Sequence, residues 1–156
     1  MTTSPRLLAA ALLVVAWLGA ALLAVAVVTP AAFAVLPSRA LAGSVVGRVL
    51  PSVFLSGMLL AVVVALLTAV RRESIGAAAT AVLSGAACAL AQFGINPRIE
   101  RLRVEIGGPV DRLASDDPRR VAFGLLHGYS VAGLGVAMLA SVLALAFLLV
   151  ALRSRP

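Results

Sequence analysis

Four long apolar runs constrain this chain more than any motif in it. The first, Leu7 to Val28, is twenty-two residues without a charged side chain. As a helix rising about 1.5 Å per residue it covers roughly 33 Å, enough for a hydrocarbon core of about 30 Å. The other runs lie at about 49–70, 75–95 and 121–152. Composition agrees, with 62% hydrophobic and 12% charged residues. A water-soluble domain of this length keeps too much surface exposed to hide that apolar area. The chain therefore reads as an all-α membrane protein, a single bundle of four transmembrane helices whose first partner is the lipid bilayer. A multi-pass protein of the cell (plasma or inner) membrane is the expected setting. A cleaved leader competes for the first run, with Arg6 ahead of it and Ala32-Phe33-Ala34 resembling a cleavage site. Leader cores run to about 7–15 residues, however, and this run is longer.

Local signals punctuate the spans. Pro30 is expected to kink or end the first helix near the membrane surface. Ser38 to Leu50 reads as a short interfacial helix between spans one and two, capped by Ser38. Its Gly43 and Gly47 have GxxxG spacing, which suits either a plain connector or a dimerisation face. Pro51 falls near the start of span two, where a missing N–H is tolerated. Arg71-Arg72-Glu73 reads as a tight turn. In span three Ala77, Ala81, Gly85 and Ala89 recur every four residues, a stripe that should place this span in the middle of the bundle. An amphipathic extension after span three carries Ile99, Leu102 and Ile106, until Gly107-Gly108-Pro109 breaks it. Asp117 as N-cap with Pro118 at the first helical position starts the fourth helix, which runs to about Leu152. Gly124, Gly128 and Ala132 form one small-residue stripe on it, and Gly133, Ala137 and Ser141 another. No internal repeat is legible.

Net charge is +7, and every basic residue is Arg. These arginines lie between apolar runs and lack interleaved aromatics, so nucleic acid is not the expected partner. Arg39, Arg48 and six more in 97–120 sit on one side, against Arg6, Arg71, Arg72, Arg153 and Arg155 on the other. The positive-inside rule then puts the long loop in the cytoplasm and both termini outside.

Polar residues gather at one end of the spans. Thr29 ends span one, Gln92, Asn96 and Arg98 end span three, and His127 and Ser130 open span four. At membrane depth such groups turn inward and find partners, which makes these six a candidate polar site. His127 is the only histidine and Cys88 the only cysteine. One of each makes neither a disulfide nor a zinc pattern, and paired histidine ligation of a haem is closed to a single chain. Gly128-Tyr129-Ser130 lies within a helical run, whereas a serine nucleophile elbow needs a strand-to-helix turn. No catalytic residue, metal or cofactor is therefore expected. The leading expectation is a non-enzymatic protein that handles or senses a small solute or ion at this face. The alternative is a structural subunit that binds a second copy or another membrane protein, and a membrane-embedded oxidoreductase comes third.

Four ordered segments carry a resemblance. They are Thr29-Pro30-Ala31-Ala32-Phe33 with Leu36-Pro37; Ala42-Gly43 through Gly47, Leu50-Pro51 and Phe54; Ile95-Asn96-Pro97-Arg98-Ile99; and Phe123, Leu126-His127-Gly128 with Ser130. Together they resemble the transmembrane protein 205-like family, also called domain of unknown function 4149. The resemblance implies a four-helix membrane protein with its signature residues at one membrane face, and no established activity. This chain has Gly133-Leu134 where members of that family often carry Asn. A more distant similarity, to anthrone-oxygenase-like four-helix proteins, extends to overall plan only.

Overall fold

The computed structural model describes residues 4–69 and 74–154. Four helices dominate: α1 (Pro5–Val35), α2 (Arg39–Ala69), α3 (Ile75–Ile106) and α4 (Pro118–Arg153). Each is long and apolar enough to cross a membrane. They alternate in direction, and each packs on the two flanking it, which closes a ring. The turn expected at Arg71-Arg72-Glu73 lies outside the described residues.

The interior is built from small side chains. More than half of the buried apolar residues are alanines, while many leucines and valines point outward. That inversion follows from the solvent, because lipid is as apolar as leucine and gives helices no hydrophobic reason to associate. Close backbone approach supplies the attraction instead. A Cβ on Gly85 would lie 2.6 Å from the Cβ of Ala61, and one on Gly57 would lie 2.8 Å from both Cys88 Sγ and the Trp17 ring. Few polar groups are buried, and they find partners. Trp17 Nε1 donates to the Val53 carbonyl at 3.1 Å, and the hydroxyls of Ser84 and Ser141 share a 3.0 Å hydrogen bond across α3 and α4.

The buried positions alternate in steps of three and four. In α3 they include Ala77, Ala81, Ser84, Cys88, Ala91 and Ile95; in α4 they include Ser130, Leu134, Ala137, Ser141, Ala144 and Leu148, with Ala140 beside Ser141. This average of about 3.5 is the repeat of a left-handed bundle. It widens the stripe expected every four residues: Ala77 and Ala81 are buried and Gly85, half-buried, lies close against Ala61, while Ser84 and Cys88 also turn inward and Ala89 is left at the half-buried edge. The stripe of Gly133, Ala137 and Ser141 does pack inward. Gly124 and Gly128 do not serve packing within the chain, since both are exposed and a Cβ on either would meet nothing within 4 Å.

Two prolines are absorbed rather than obeyed. The first helix continues through Pro30 to Val35, so of the expected kink or stop the stop does not occur. A π-helical turn at Ala24–Val28 precedes it, closed by the Thr29 N–H and the Thr29 hydroxyl, both donating to the Ala24 carbonyl. A second π-helical turn, Leu90–Ile95, precedes Asn96-Pro97, and the Asn96 N–H bonds the Ala91 carbonyl. A proline ring clashes with the carbonyl one α-turn back, and the wider turn relieves that crowding. It also takes up a residue, so the inward face steps by fours through Ala91, Ile95 and Ile99 without rotating away. The separate interfacial helix expected before span two is instead the first part of α2, which is continuous through Pro51. One interior proline removes a single hydrogen bond and kinks a helix more readily than it ends it.

Many buried positions of the two halves match in register, a pseudo-repeat that identities hide. One constant offset pairs Ala10 with Ala77, Val14 with Ala81, Trp17 with Ser84, Ala21 with Cys88, Ala24 with Ala91 and Ala32 with Ile99, all of them buried. The same offset pairs Thr29-Pro30 with Asn96-Pro97. A second offset pairs Phe54 with Leu134, Gly57 with Ala137, Ala61 with Ser141 and Val64 with Ala144. The ring thus has an approximate two-fold along its axis, the arrangement of parallel repeats.

Helix caps follow the sequence. Ser38 Oγ accepts from the Leu41 N–H, and Gly107 ends α3 in the left-handed region at φ 65°. Asp117 Oδ1 accepts from the Arg119 N–H at 2.8 Å, while its other oxygen meets the Arg119 guanidinium at 2.8 Å. The hydrogen bond from that side chain, with the backbone bond, lowers the carboxyl pKa to about 2.

Two outcomes follow. Gly85→Leu should cost about 1–3 kcal/mol by overpacking against Ala61, read as thermal unfolding in detergent. Gly19→Leu, where a Cβ meets nothing within 4 Å, should leave the transition unchanged. Equal stability of the two variants would refute backbone approach as the cohesive contact. The Asp117 cap, with its lowered pKa, contributes fully above the unfolded carboxyl value of about 3.9 and is lost as pH falls through about 2. Amide protection at the start of α4 should follow that window, and Asp117→Asn, which still caps, should abolish the pH dependence.

Candidate polar binding site

Where α1 ends and α2 begins, the ring encloses a partly open cavity of about 650 Å³. All four helices line it. Thr29 and Asn96 reach it from equivalent places, each directly after a π-helical turn and before a proline. Asn96 Nδ2 donates to Gln92 Oε1 at 3.1 Å, so one turn of α3 presents a tied pair of amides. That bond leaves the Gln92 amide hydrogens and the Asn96 carbonyl oxygen available. From α4 come His127 and Ser130. The His127 ring is exposed and lies parallel to Phe123, with centroids 6.4 Å apart. Ser130 is only 3% exposed and lines the cavity, and among the described residues no buried side-chain nitrogen or oxygen lacks a partner. Ser130 stands inside the unbroken helix α4, with no strand before it.

Five of the six residues singled out from the sequence thus line one cavity: Thr29, Gln92, Asn96, His127 and Ser130. Arg98 does not. It is exposed on the first turn after the proline, pointing away from the face that carries Asn96. Two arginines do line the cavity, Arg39 and Arg103, neither among the six site candidates. A seven-residue step from Asn96 brings a helix back to nearly the same face, and that spacing was the available signal for Arg103.

Arg103 is held by three groups. Its Nη1 donates to Glu100 at 3.1 Å, its Nη2 to the Gly43 carbonyl at 3.4 Å, and its guanidinium carbon lies 5.6 Å from the Phe123 ring centroid. Gly43 and Gly47 make this approach feasible, since a Cβ on Gly47 would sit 3.0 Å from Nη1. Their GxxxG spacing therefore serves a groove for an arginine side chain within the chain. The arrangement offers hydrogen-bond donors and acceptors with two arginine cations beside apolar walls. Among the described residues no group of three His, Cys, Asp or Glu side chains could hold a metal ion.

Residues 12–107 match the family described as Domain of unknown function (DUF4149). The chain belongs to that family. No curated protein and no solved structure matches it. The DUF4149 match covers nearly all of α1 through α3, with Thr29, Gln92, Asn96 and Arg103. It stops before α4, so Phe123, His127 and Ser130 lie beyond the matched residues.

Proposed function

We propose that this DUF4149 protein is a membrane-embedded binding protein that handles or senses a small solute or ion at the cavity between its helix ends. One observation carries the reading. Polar side chains from α1, α3 and α4, namely Thr29, Gln92, Asn96, His127 and Ser130, converge on a single cavity that α2 completes. Polar groups gathered at membrane depth are candidates for a binding role. The similarity to transmembrane protein 205-like members rests on Thr29-Pro30, Asn96-Pro97 and His127-Gly128, and these residues flank or line the cavity. The arginine distribution supports an orientation with the 97–120 segment in the cytoplasm, and the cell membrane is the setting we propose for it.

A panel of small solutes and ions screened by thermal shift tests the reading. A true ligand at about 100 times its Kd should stabilise the protein by about 2.7 kcal/mol. Ser130→Phe, which fills the cavity, should abolish the shift. If no panel member stabilises the protein, and His127→Ala and Asn96→Leu match wild type in proteoliposome flux, the proposal fails.

A second reading, a subunit that packs against another membrane helix, has its own observation. Gly124, Gly128 and Ala132 form an exposed stripe on the outer face of α4, the kind of surface that lets helices approach closely in lipid. Oxidative crosslinking through Gly128→Cys in native membranes should yield a linked species, and Tyr129→Cys, exposed but about 100° round the helix, should not. Monomers alone in both would remove the basis of this reading.

A further inference from the structure

We infer that the cavity takes a single-chain amphiphile with an anionic head, a carboxylate or phosphate group on one acyl chain. The inference rests on the binding role proposed above and adds the chemistry of the ligand. It starts from the place where the two-fold equivalence breaks. The offset that pairs Phe54 with Leu134 also pairs Arg39 with Arg119, Gly43 with Phe123, Gly47 with His127 and Leu50 with Ser130. At the mouth of the ring, α2 is stripped to glycine while α4 carries two stacked rings. The other pair breaks as well, because α1 stops at Val35 and α3 runs on to Ile106. That extra length delivers Arg103 into the glycine groove. The asymmetry of both pairs thus serves one placement, a cation at the cavity wall.

The charge on that wall favours an anion. A guanidinium has five N–H donors, and the contacts with Glu100 and Gly43 use two of them. Within the ion pair the Arg103 side chain is 31% exposed and that of Glu100 62%, so the better-buried charge is positive. Arg39 also lines the cavity and forms no ion pair with a described residue, and Asp111, the other acid on the lining, stands exposed on the connecting turn. The first turn of α2, with Arg39 and Ala40 on the lining, adds the positive end of a long helix. The Gln92 amide and the Ser130 hydroxyl offer further donors to a head group.

The remaining wall favours a chain. Phe33, Val46, Leu50, Ile99 and Phe123 line the same space and have no affinity for a bare inorganic anion. A volume of about 650 Å³ sits within the roughly 300–1,000 Å³ of sites for drug-sized molecules. One acyl chain with its head suits that size; a whole two-chain phospholipid does not.

Binding of radiolabelled palmitate to the full-length protein in detergent tests the inference, with competitors that separate its parts. Palmitate and lysophosphatidate should bind saturably, and the tighter of them names the head group and its source. Hexadecanol, the same chain without charge, should compete at least tenfold more weakly, and inorganic phosphate should not compete. Arg103→Gln should weaken palmitate binding tenfold or more, Arg103→Lys should weaken it less, and Arg98→Gln should leave it unchanged. Gly47→Leu, which evicts the guanidinium from its groove, gives an independent check should Arg103→Gln fold poorly. The inference is overturned if hexadecanol competes as well as palmitate, if Arg103→Gln and Gly47→Leu both bind as wild type, or if two-chain phosphatidate in nanodiscs competes equally. An uncharged solute that stabilises wild type but not Ser130→Phe, with no palmitate binding, would sink the anionic amphiphile and leave the binding role standing. No Ser130-sensitive ligand of any kind would sink both.

Discussion

Contact between helix backbones through glycine and alanine is what the rest of this bundle depends on. Gly85 lies against Ala61, and Gly57 lies beneath Trp17 and Cys88, at separations that leave no room for one more carbon. Lipid offers helices no gain from burying leucine against leucine, so dispersion between closely placed backbones has to supply the cohesion. The demand is continuous along the bundle axis. It forces the inward face of each helix to stay on the axis over more than six turns, and a repeat of about 3.5 meets that need through left-handed coiling. Hydrogen bonds such as Ser84 to Ser141 add little to this, about 0.6 kcal/mol on average in comparable membrane bundles.

The same demand explains the two π-helical turns. Each sits where a proline follows and where the bundle needs the inward face to continue past the disturbance. A wider turn relieves the proline and resets the register together, so Ala32 and Ile99 remain buried beyond it. A consequence reaches the cavity. The turn places Thr29 and Asn96 at matching positions on diagonal helices, and both side chains reach the same space.

Much of the architecture was legible because it follows from local chemistry. Uncharged runs gave the spans, Asp117-Pro118 gave the start of α4, and Gly107 gave the end of α3. The convergence of Thr29, Gln92, Asn96, His127 and Ser130 could be read because alternating spans bring their like ends together. What escaped reading was non-local. Whether Pro30 and Pro51 end a helix is decided by neighbours that hold the chain helical beyond them. Stripes drawn every four residues assume a straight helix and miss the supercoil that turns Ser84 and Cys88 inward. Gly124 and Gly128 look like packing residues in one dimension, although nothing in this chain reaches them. Arg98 and Arg103 look alike in sequence, and only the face shared with Asn96 separates them. The repeat was hidden because backbone approach selects size rather than identity, so Trp17 can stand opposite Ser84 and leave no trace in an alignment by eye.

Symmetry and site are then two sides of one arrangement. An exact two-fold would put the same side chain at Gly43 and Phe123, and at Gly47 and His127. Two glycine faces would leave a gap without any ring for Arg103 to lie against, and two aromatic faces would fill the space that its guanidinium enters. Only the mixed case leaves a groove on α2 and a stacking surface on α4 at the same depth. The longer α3 supplies the arginine that uses both. The packed part of the bundle keeps the repeat because cohesion requires it on all four helices alike. The mouth abandons the repeat, and there the chain concentrates the Ser130 hydroxyl, its tied amides and its better-buried charge. A cavity built by departure from the rule that stabilises everything else costs the bundle packing it could have had, which is the physical reason to look for the chain's function there.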